Sequence, residues 1–556
     1  MSQPESCCRT SFSFFCPKKT CTSPSFHLFI AFLSVLIATV IHDSFVTYVS
    51  ATIMSSVLVD SPSASGYAPF VSSTDPNAGT VVSRFWFYNT TNVDDVVLRG
   101  ARPIVVEIGP LSYLYTNTKV NVTFDKQADT ITYVQVQQYV PADNATIALQ
   151  ESLVFVPDLL LLGALSPLSG VADLIPILFP ATKDARALFT GRSLRDLLWG
   201  YYDSTLLIRF PGIQTNDSSI ASALATHGKN TVRIGAGAGY GEMMNFVDWD
   251  NMASMQCCNS GPAGEKGATA SGGCGSQFGT LTGDSVRGSF GDSFHPGIQP
   301  DETLHLATHD FGMYRTWPFV CGEGNAGGGS LNDGSTFSSV IGACESYDLL
   351  GARVSAFRLP SWVMGNASVS ANEAAAFGGG RDGVSGLLNQ TSCYTGSPVM
   401  ISRPHFLYGS DSLFNFIQSG MSTPNENQHG SFLGVEPITG NVLDFAFRAQ
   451  YNAAPHRVDT STFSYFTNIS YGIFPIAWGE QRAIVTPAQV QQFTGYMGLY
   501  FALRVAAVLR WGGTGLAGAA LAAAAFYLSR KMWKPKVNKG EVLFGESFYA
   551  SLNDDD

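Results

Sequence analysis

FHLFIAFLSVLIATVI at Phe26–Ile41 and WGGTGLAGAALAAAAFYL at Trp511–Leu528 stand near the two ends of the chain, and their flanks set its architecture. Arg9, Lys18 and Lys19 precede the first run, and Arg530, Lys531, Lys534, Lys536 and Lys539 follow the second. An 18-residue helix such as Trp511–Leu528 rises roughly 27 Å, near the thickness of a bilayer core, and basic residues mark the cytosolic side of a membrane helix. The sequence therefore predicts membrane helices at 26–42 and 505–528, cytosolic tails at 1–25 and 529–556, and one outer domain over 43–504. The alternative for the first run is a signal peptide cleaved at Val49-Ser50-Ala51, although that site lies ten residues beyond Ile41. Small residues such as Gly515 and Ala519, four apart in the second run, suit close helix packing and a homo-oligomer.

Composition agrees with an exported, glycosylated domain. Charged residues are 13%, against about 25% in average soluble proteins, which suits a surface carrying sugars. Asn-x-Ser/Thr acceptors occur at Asn89, Asn121, Asn144, Asn216, Asn366, Asn389 and Asn468, all within the expected outer domain. The net charge of −11 makes the chain a poor nucleic-acid binder.

The cysteines divide at the same boundary. Cys7, Cys8, Cys16 and Cys21 lie in the N-terminal tail, where thiols stay reduced, and are candidate palmitoylation sites, with unmodified thiols as the alternative. Cys257, Cys258, Cys274, Cys321, Cys344 and Cys393 lie outside, an even number in an oxidising compartment, and are expected to form disulfides whose pairing the sequence leaves open. In the C-terminal tail, Tyr549-Ala550-Ser551-Leu552 has the tyrosine-to-apolar spacing of a sorting signal, carried by Tyr549 and Leu552.

Along the outer domain, Thr80–Tyr88 and Thr130–Val140 are rich in β-branched and aromatic residues with partial alternation, which predicts half-buried strands. Asp158–Pro180 is apolar all round, but Pro167 and Pro176 break it into pieces too short for a membrane crossing. It reads either as core or as an exposed apolar cap that meets a ligand or partner. Residues 257–345 are rich in Gly, Ser and Cys and read as a loop-rich, disulfide-stapled insertion.

Arg84–Asn92 (RFWFYNTTN), Glu107–Tyr113 (EIGPLSY) and Asn121–Phe124 (NVTF) resemble the start of the outer domain in the class B scavenger receptor family, which includes the fatty acid translocase and a lysosomal integral membrane protein. The likeness continues at Ser193–Leu206, Glu345–Pro360, Pro398–Asp411 (PVMISRPHFLYGSD), Asn425–Leu443 and Arg448–Asn452 (RAQYN), in family order. Cys393 sits where the family has a disulfide cysteine. The family's usual partner is replaced around Met313–Thr316, its Cys-x-Cys is missing at Ala374–Gly380, and the Gly-rich segment between Arg315 and Cys344 is unmatched, so the family's disulfide pattern does not carry over.

The resemblance implies an α+β chain: an antiparallel β-barrel-like outer domain with an apical helical bundle, flanked by two transmembrane helices and holding a lipid-lined tunnel. It implies a membrane glycoprotein of the plasma membrane or the endosome and lysosome that binds lipids, fatty acids or lipoprotein particles and transfers lipid toward the membrane. A walled apolar path has a physical rationale, because each buried methylene is worth about 0.8 kcal/mol and a long acyl chain resists crossing water. By position, Leu159, Leu161, Leu162, Leu174, Ile175 and Ile177 supply the apolar apex, while Lys183, Arg186 and Arg192 follow as candidates for attracting an acidic head group.

Enzyme signatures are absent: there is no Gly-x-Ser-x-Gly, His-Glu-x-x-His or P-loop, and no metal or cofactor is expected. A receptor for a protein cargo in endosomes or lysosomes is the second reading. A two-helix channel is the third, weakened because Trp511–Leu528 offers no polar ring beyond Thr514.

Overall fold

The structure of the protein is a computed structural model. It describes residues 57–71, 80–165, 185–204, 208–210, 212–213, 224–236, 240–248, 288–308, 315–321, 344–350, 352–370, 384–391, 397–455 and 469–485, with scattered positions in 29–52 and 508–526. The chain divides into two units, Met1–Thr52 with Tyr496–Asp556, and Ile53–Gly495. In the first, described positions such as Phe29, Phe32, Val508 and Trp511 are helical and exposed. No helix among the described residues is long and apolar enough to cross a membrane; most of 26–42 and 505–528 lies outside them.

The second unit is built on one antiparallel sheet. The expected early strands form as β1 (Thr80–Thr90) and β3 (Thr130–Pro141), with the long β2 (Val105–Asp125) between them. Two small hairpins follow, β4 (Leu153–Pro157) with β5 (Phe189–Ser193) and β6 (Tyr201–Asp203) with β7 (Ile208–Phe210). The sheet resumes with β8 (Leu224–Arg233), β9 (Phe246–Asp248), β10 (Thr303–Thr308), β11 (Arg315–Cys321), β12 (Ser346–Leu349) and β13 (Ala352–Arg358). It ends with β14 (Leu388–Asn389), β15 (Val399–Ser402), β16 (Phe432–Val435), β17 (Val442–Ala453) and β18 (Phe474–Ile484). The order is β10-β11-β13-β16-β17-β18-β1-β2-β3-β8-β9, with β12 beside β13 and β15 joining β17 where β16 leaves it.

The barrel expected from the resemblance is not closed. No ladder joins β9 to β10 among the described residues; instead Gly288 and Ser289 span the seam. The Phe246 N–H donates to the Gly288 carbonyl, while Ser289 donates to the His305 carbonyl and accepts from the Ala307 N–H. The helices are short, such as Val93–Arg99, Leu194–Trp199 and Asp411–Phe416. Of the expected apical bundle only the helix Leu159–Leu165 is described, and 166–184 lie outside.

Alternation places the core. On β3, Ile131, Tyr133, Gln135, Gln137 and Tyr139 all face inward, as a period-two strand requires. The apolar members fall into two clusters, one around Tyr113, Tyr139, Trp199 and Phe474, the other around Ile131, Tyr133 and Phe246. Buried Asn117 and Lys119 of β2 and Gln135 and Gln137 of β3 form a polar belt between them. Lys119 is matched there by Asp292 at 2.6 Å and lies 4.6 Å from the Phe70 ring centroid. β17 is buried on both faces. Phe447, Ala449, Tyr451 and Ala453 enter the large apolar cluster, and Arg448, Gln450 and Asn452 alternate with them into a polar network. In that network Arg448 contacts Glu480 through Nε at 2.8 Å and Nη2 at 2.6 Å, and Arg84 reaches the other Glu480 oxygen at 2.8 Å.

Candidate functional site

The helix Leu159–Leu165 starts where β4 ends. Asp158 caps it, its carboxylate accepting from the Leu161 N–H at 3.0 Å. Gly163 lets the chain lie against Ser397, whose hydroxyl donates to the Leu159 carbonyl at 3.0 Å; a Cβ at Gly163 would stand 2.3 Å from that hydroxyl. Leu159, Leu161 and Leu162 are 8%, 4% and 5% exposed and belong to the large apolar cluster, so the described part of the apolar run is packed as core. A Leu161→Glu substitution therefore reads folding before it reads ligand binding.

Beneath this helix lies a small apolar cavity. Val156 and Pro157 of β4, Leu159, Thr190 of β5, Leu197, Tyr201 of β6, Phe210 of β7, Ile213 and Ile476 of β18 line it. The sequence builds this wall from local signals. Ser193 caps the helix Leu194–Trp199, accepting from the Asp196 N–H at 3.1 Å, and that helix buries Leu194, Leu197, Leu198 and Trp199. Trp199 packs against Tyr113 and Tyr139, with ring centroids 5.2 Å and 5.0 Å away.

A charged group backs the cavity. On β5, Arg192 follows Thr190 on the same face, and on β6, Asp203 follows Tyr201. Arg192 donates to Asp203 at 2.5 Å and its guanidinium sits 4.1 Å above the Tyr201 ring centroid. Its Nε is buried and meets no acceptor among the described residues. Burial pushes the Asp158 carboxyl above its ordinary value, the Leu161 N–H opposes this, and nearby Asp203 adds to the rise. The Tyr201 hydroxyl is raised by burial and by the same two carboxylates. Arg192, expected to await an acidic head group, is thus already matched by Asp203. Leu174, Ile175, Ile177 and Lys183 lie outside the described residues, as does the side chain of Arg186. The sequence reading missed Thr190, Tyr201, Asp203 and Ile476; the period-two pairs Thr190/Arg192 and Tyr201/Asp203 were the available signal.

A second ionisable cluster joins the family-like blocks. His405 of the Pro-His-Phe step stacks on His429 at 4.0 Å, with 10° between the rings, and both are buried. Glu107 Oε2 lies 3.3 Å from His405 Nε2, and Trp478 donates to Glu107 Oε1 at 3.0 Å while stacking on Trp86 at 3.8 Å. His429 Nδ1 accepts from the Asn425 N–H at 3.0 Å. Burial, the neighbouring His405 and Arg448 push His429 down to about 4, against a pull from Glu107. Burial acts to raise Glu107, but hydrogen bonds from His405 and Trp478 and the two histidines bring it below its ordinary value.

The remaining site residues distribute as follows. Cys321 and Cys344 form a disulfide, and Cys257, Cys258, Cys274 and Cys393 lie outside the described residues. Asn121 and Asn144 are exposed; Asn89, Asn366 and Asn389 are half-buried. Asn216, Asn468, the four tail cysteines, Tyr549 and Leu552 lie outside. Among the described residues no cluster of three or more His, Cys, Asp or Glu side chains could hold a metal ion.

Comparison with known proteins brings these pieces together. Rat (Rattus norvegicus) lysosome membrane protein 2 is 26% identical over 423 residues, covering 74% of this chain and 76% of that protein. Sensory neuron membrane protein 2 of Heliothis virescens is 24% identical, covering 74% and 76%. Bovine (Bos taurus) scavenger receptor class B member 1 is 22% identical, covering 73% and 71%. The family model of the CD36 family matches residues 27–322 and 344–528, so the terminal apolar runs except Phe26, the sheet and the cavity fall within it and only the segment between Cys321 and Cys344 interrupts it. On this match over most of its length, the chain belongs to the CD36 family.

Proposed function

We propose that this protein is a scavenger-receptor-like membrane glycoprotein that binds lipid or lipoprotein ligands and passes lipid through its outer domain toward the membrane without covalent chemistry. Relatives named as lysosome membrane protein and scavenger receptor support a receptor at the lysosomal or plasma membrane. The observation that carries the reading is the family match over residues 27–322 and 344–528, and the small apolar hollow under Leu159–Leu165, lined from two hairpins, a helix and β18, agrees with it. An apolar lining of this kind favours contact with an acyl or sterol segment over water, by about 0.8 kcal/mol per methylene buried.

In this reading the helix Leu159–Leu165 is the packed base of the apex, and the rest of the apolar run, including Leu174, Ile175 and Ile177, takes up the lipid. Lys183 and Arg186, which follow it in the sequence, attract an acidic head group. The two terminal apolar runs are membrane helices, the outer sequons carry sugars, and Cys7, Cys8, Cys16 and Cys21 are acyl acceptors. Tyr549 and Leu552 direct internalisation. Native mass spectrometry of the full-length glycoprotein, released from a neutral detergent, tests the function: masses shifted by bound lipid are expected. A protein that carries no lipid and takes none from added vesicles rejects it.

A further inference from the structure

Asn89 opens the sequon Asn89-Thr90-Thr91 near the end of β1, and its side chain is tied down. Its Oδ1 accepts from the Phe155 N–H of β4 at 2.8 Å, which fixes the amide plane and with it the direction in which Nδ2 leaves the sheet. On β2, Val106 pairs with Asn89 and so shares its face, and it is 47% exposed. On β4, Leu153 and Phe155 stand two apart on one face and are 67% and 50% exposed, while Val154 and Val156 on the other face are buried. The Phe155 ring leans over Gly191, its cross-strand partner on β5, where a Cβ would stand 3.1 Å from the ring. One face of the ring thus lies against backbone and the other meets solvent. Exposed apolar residues scattered singly are ordinary; Val106, Leu153 and Phe155 instead gather about one acceptor asparagine.

We propose that the first sugar of a glycan on Asn89 packs on the open face of the Phe155 ring and shields Leu153 and Val106 beside it, so that carbohydrate completes the outer surface of β4. The inference rests on the reading of the outer sequons as glycosylated. A pyranose such as N-acetylglucosamine carries C–H bonds on its faces and hydroxyls around its rim, so one face meets the negative π-cloud of an aromatic ring while the rim stays in water. The covalent link names the occupant: a sugar on Nδ2 starts from the amide that the Phe155 N–H already holds, and is delivered to that ring without any cost of association.

Two substitutions separate the sugar from the asparagine that carries it. Thr91→Ala removes the sequon and leaves Asn89 and its bond to Phe155 in place, whereas Thr91→Ser keeps the sequon. With the full-length glycoprotein in neutral detergent, glycopeptide mass spectrometry should find Asn89 occupied in the unaltered protein and in Thr91→Ser, and empty in Thr91→Ala. Hydroxyl-radical footprinting should then oxidise Phe155 severalfold faster in Thr91→Ala than in the other two. Equal oxidation with and without the glycan overturns the proposal: slow in both means that detergent or a second copy of the chain covers the ring, and fast in both that nothing does. Should Thr91→Ala not fold, Phe155→Ser decides. Peptide N-glycosidase acting on the native protein should release the Asn89 glycan severalfold faster from that variant than from the unaltered protein, and equal rates overturn the proposal. An empty Asn89 in the unaltered protein rejects the use of this sequon itself, an outcome distinct from an occupied Asn89 beside an unprotected ring.

Discussion

His429 shows how a single residue couples this fold to acidity. A histidine held down at about 4, against an ordinary 6.5, stays neutral in the native protein while the unfolded chain takes up a proton. The stability this neutral ring contributes is full above pH 6.5 and is lost as pH falls toward 4, by roughly 3 kcal/mol if the whole displacement is realised. Glu107, held below its ordinary value, contributes above that value and loses its share as pH falls through its native one, so the two effects add in acid. Urea denaturation at neutral pH and near pH 4.5 should show a marked drop in stability, and His429→Gln should flatten that drop. An identical drop in His429→Gln would assign the acid sensitivity to other groups. Nothing in the sequence announced this pair, because His405 and His429 meet only through the fold.

At the scale of elements, β17 separates what sequence reveals from what it hides. The strands β1 and β3 were legible because β-branched and aromatic residues alternate along them, a signal each strand carries alone. β17 was visible only as a family-like block, Arg448–Asn452, since a strand buried on both faces has no solvent face to mark its period. The apolar run beginning at Leu159 was ambiguous for a related reason: its all-round apolar character fits core and cap equally, and neighbours such as Ser397 decide it. The cavity was illegible because its wall comes from segments as distant as Val156 and Ile476. Two substitutions test the polar face of β17. Arg448→Ala strips the buried Glu480 of its close partner and should destabilise by about 3 kcal/mol or more. Arg84→Ala removes a partner whose side chain is 35% exposed and should cost under about 1 kcal/mol. Equal effects in chemical denaturation would mean that burial does not rank the two contacts. Gly420 makes a comparable point in a turn: at φ +96° a Cβ would stand 1.6 Å from the Val105 carbonyl oxygen, so Gly420→Ala should unseat the bridge from Ser419 to Ile104 and lower the melting temperature.

At the scale of the molecule, the single described disulfide coincides with the single gap in the family match. Cys321 ends β11, Cys344 precedes β12, and their Cα atoms are 4.9 Å apart. Closing a loop over a separation of 23 residues is worth about 3 kcal/mol in the chain-entropy account, so replacing both cysteines by serine should lower stability by that order in denaturation under non-reducing conditions. A further consequence concerns descent rather than stability. A segment whose two ends are already neighbours can be lengthened, shortened or exchanged with little change in closure entropy, and β11 continues to pair with β13 through Val320 with Arg358 and Cys321 with Phe357. The stretch between the cysteines is thus a port for evolutionary novelty: a lineage can trial new sequence there, and an experimenter an epitope tag or a fluorescent domain, while the pairing of β11 with β13 is kept.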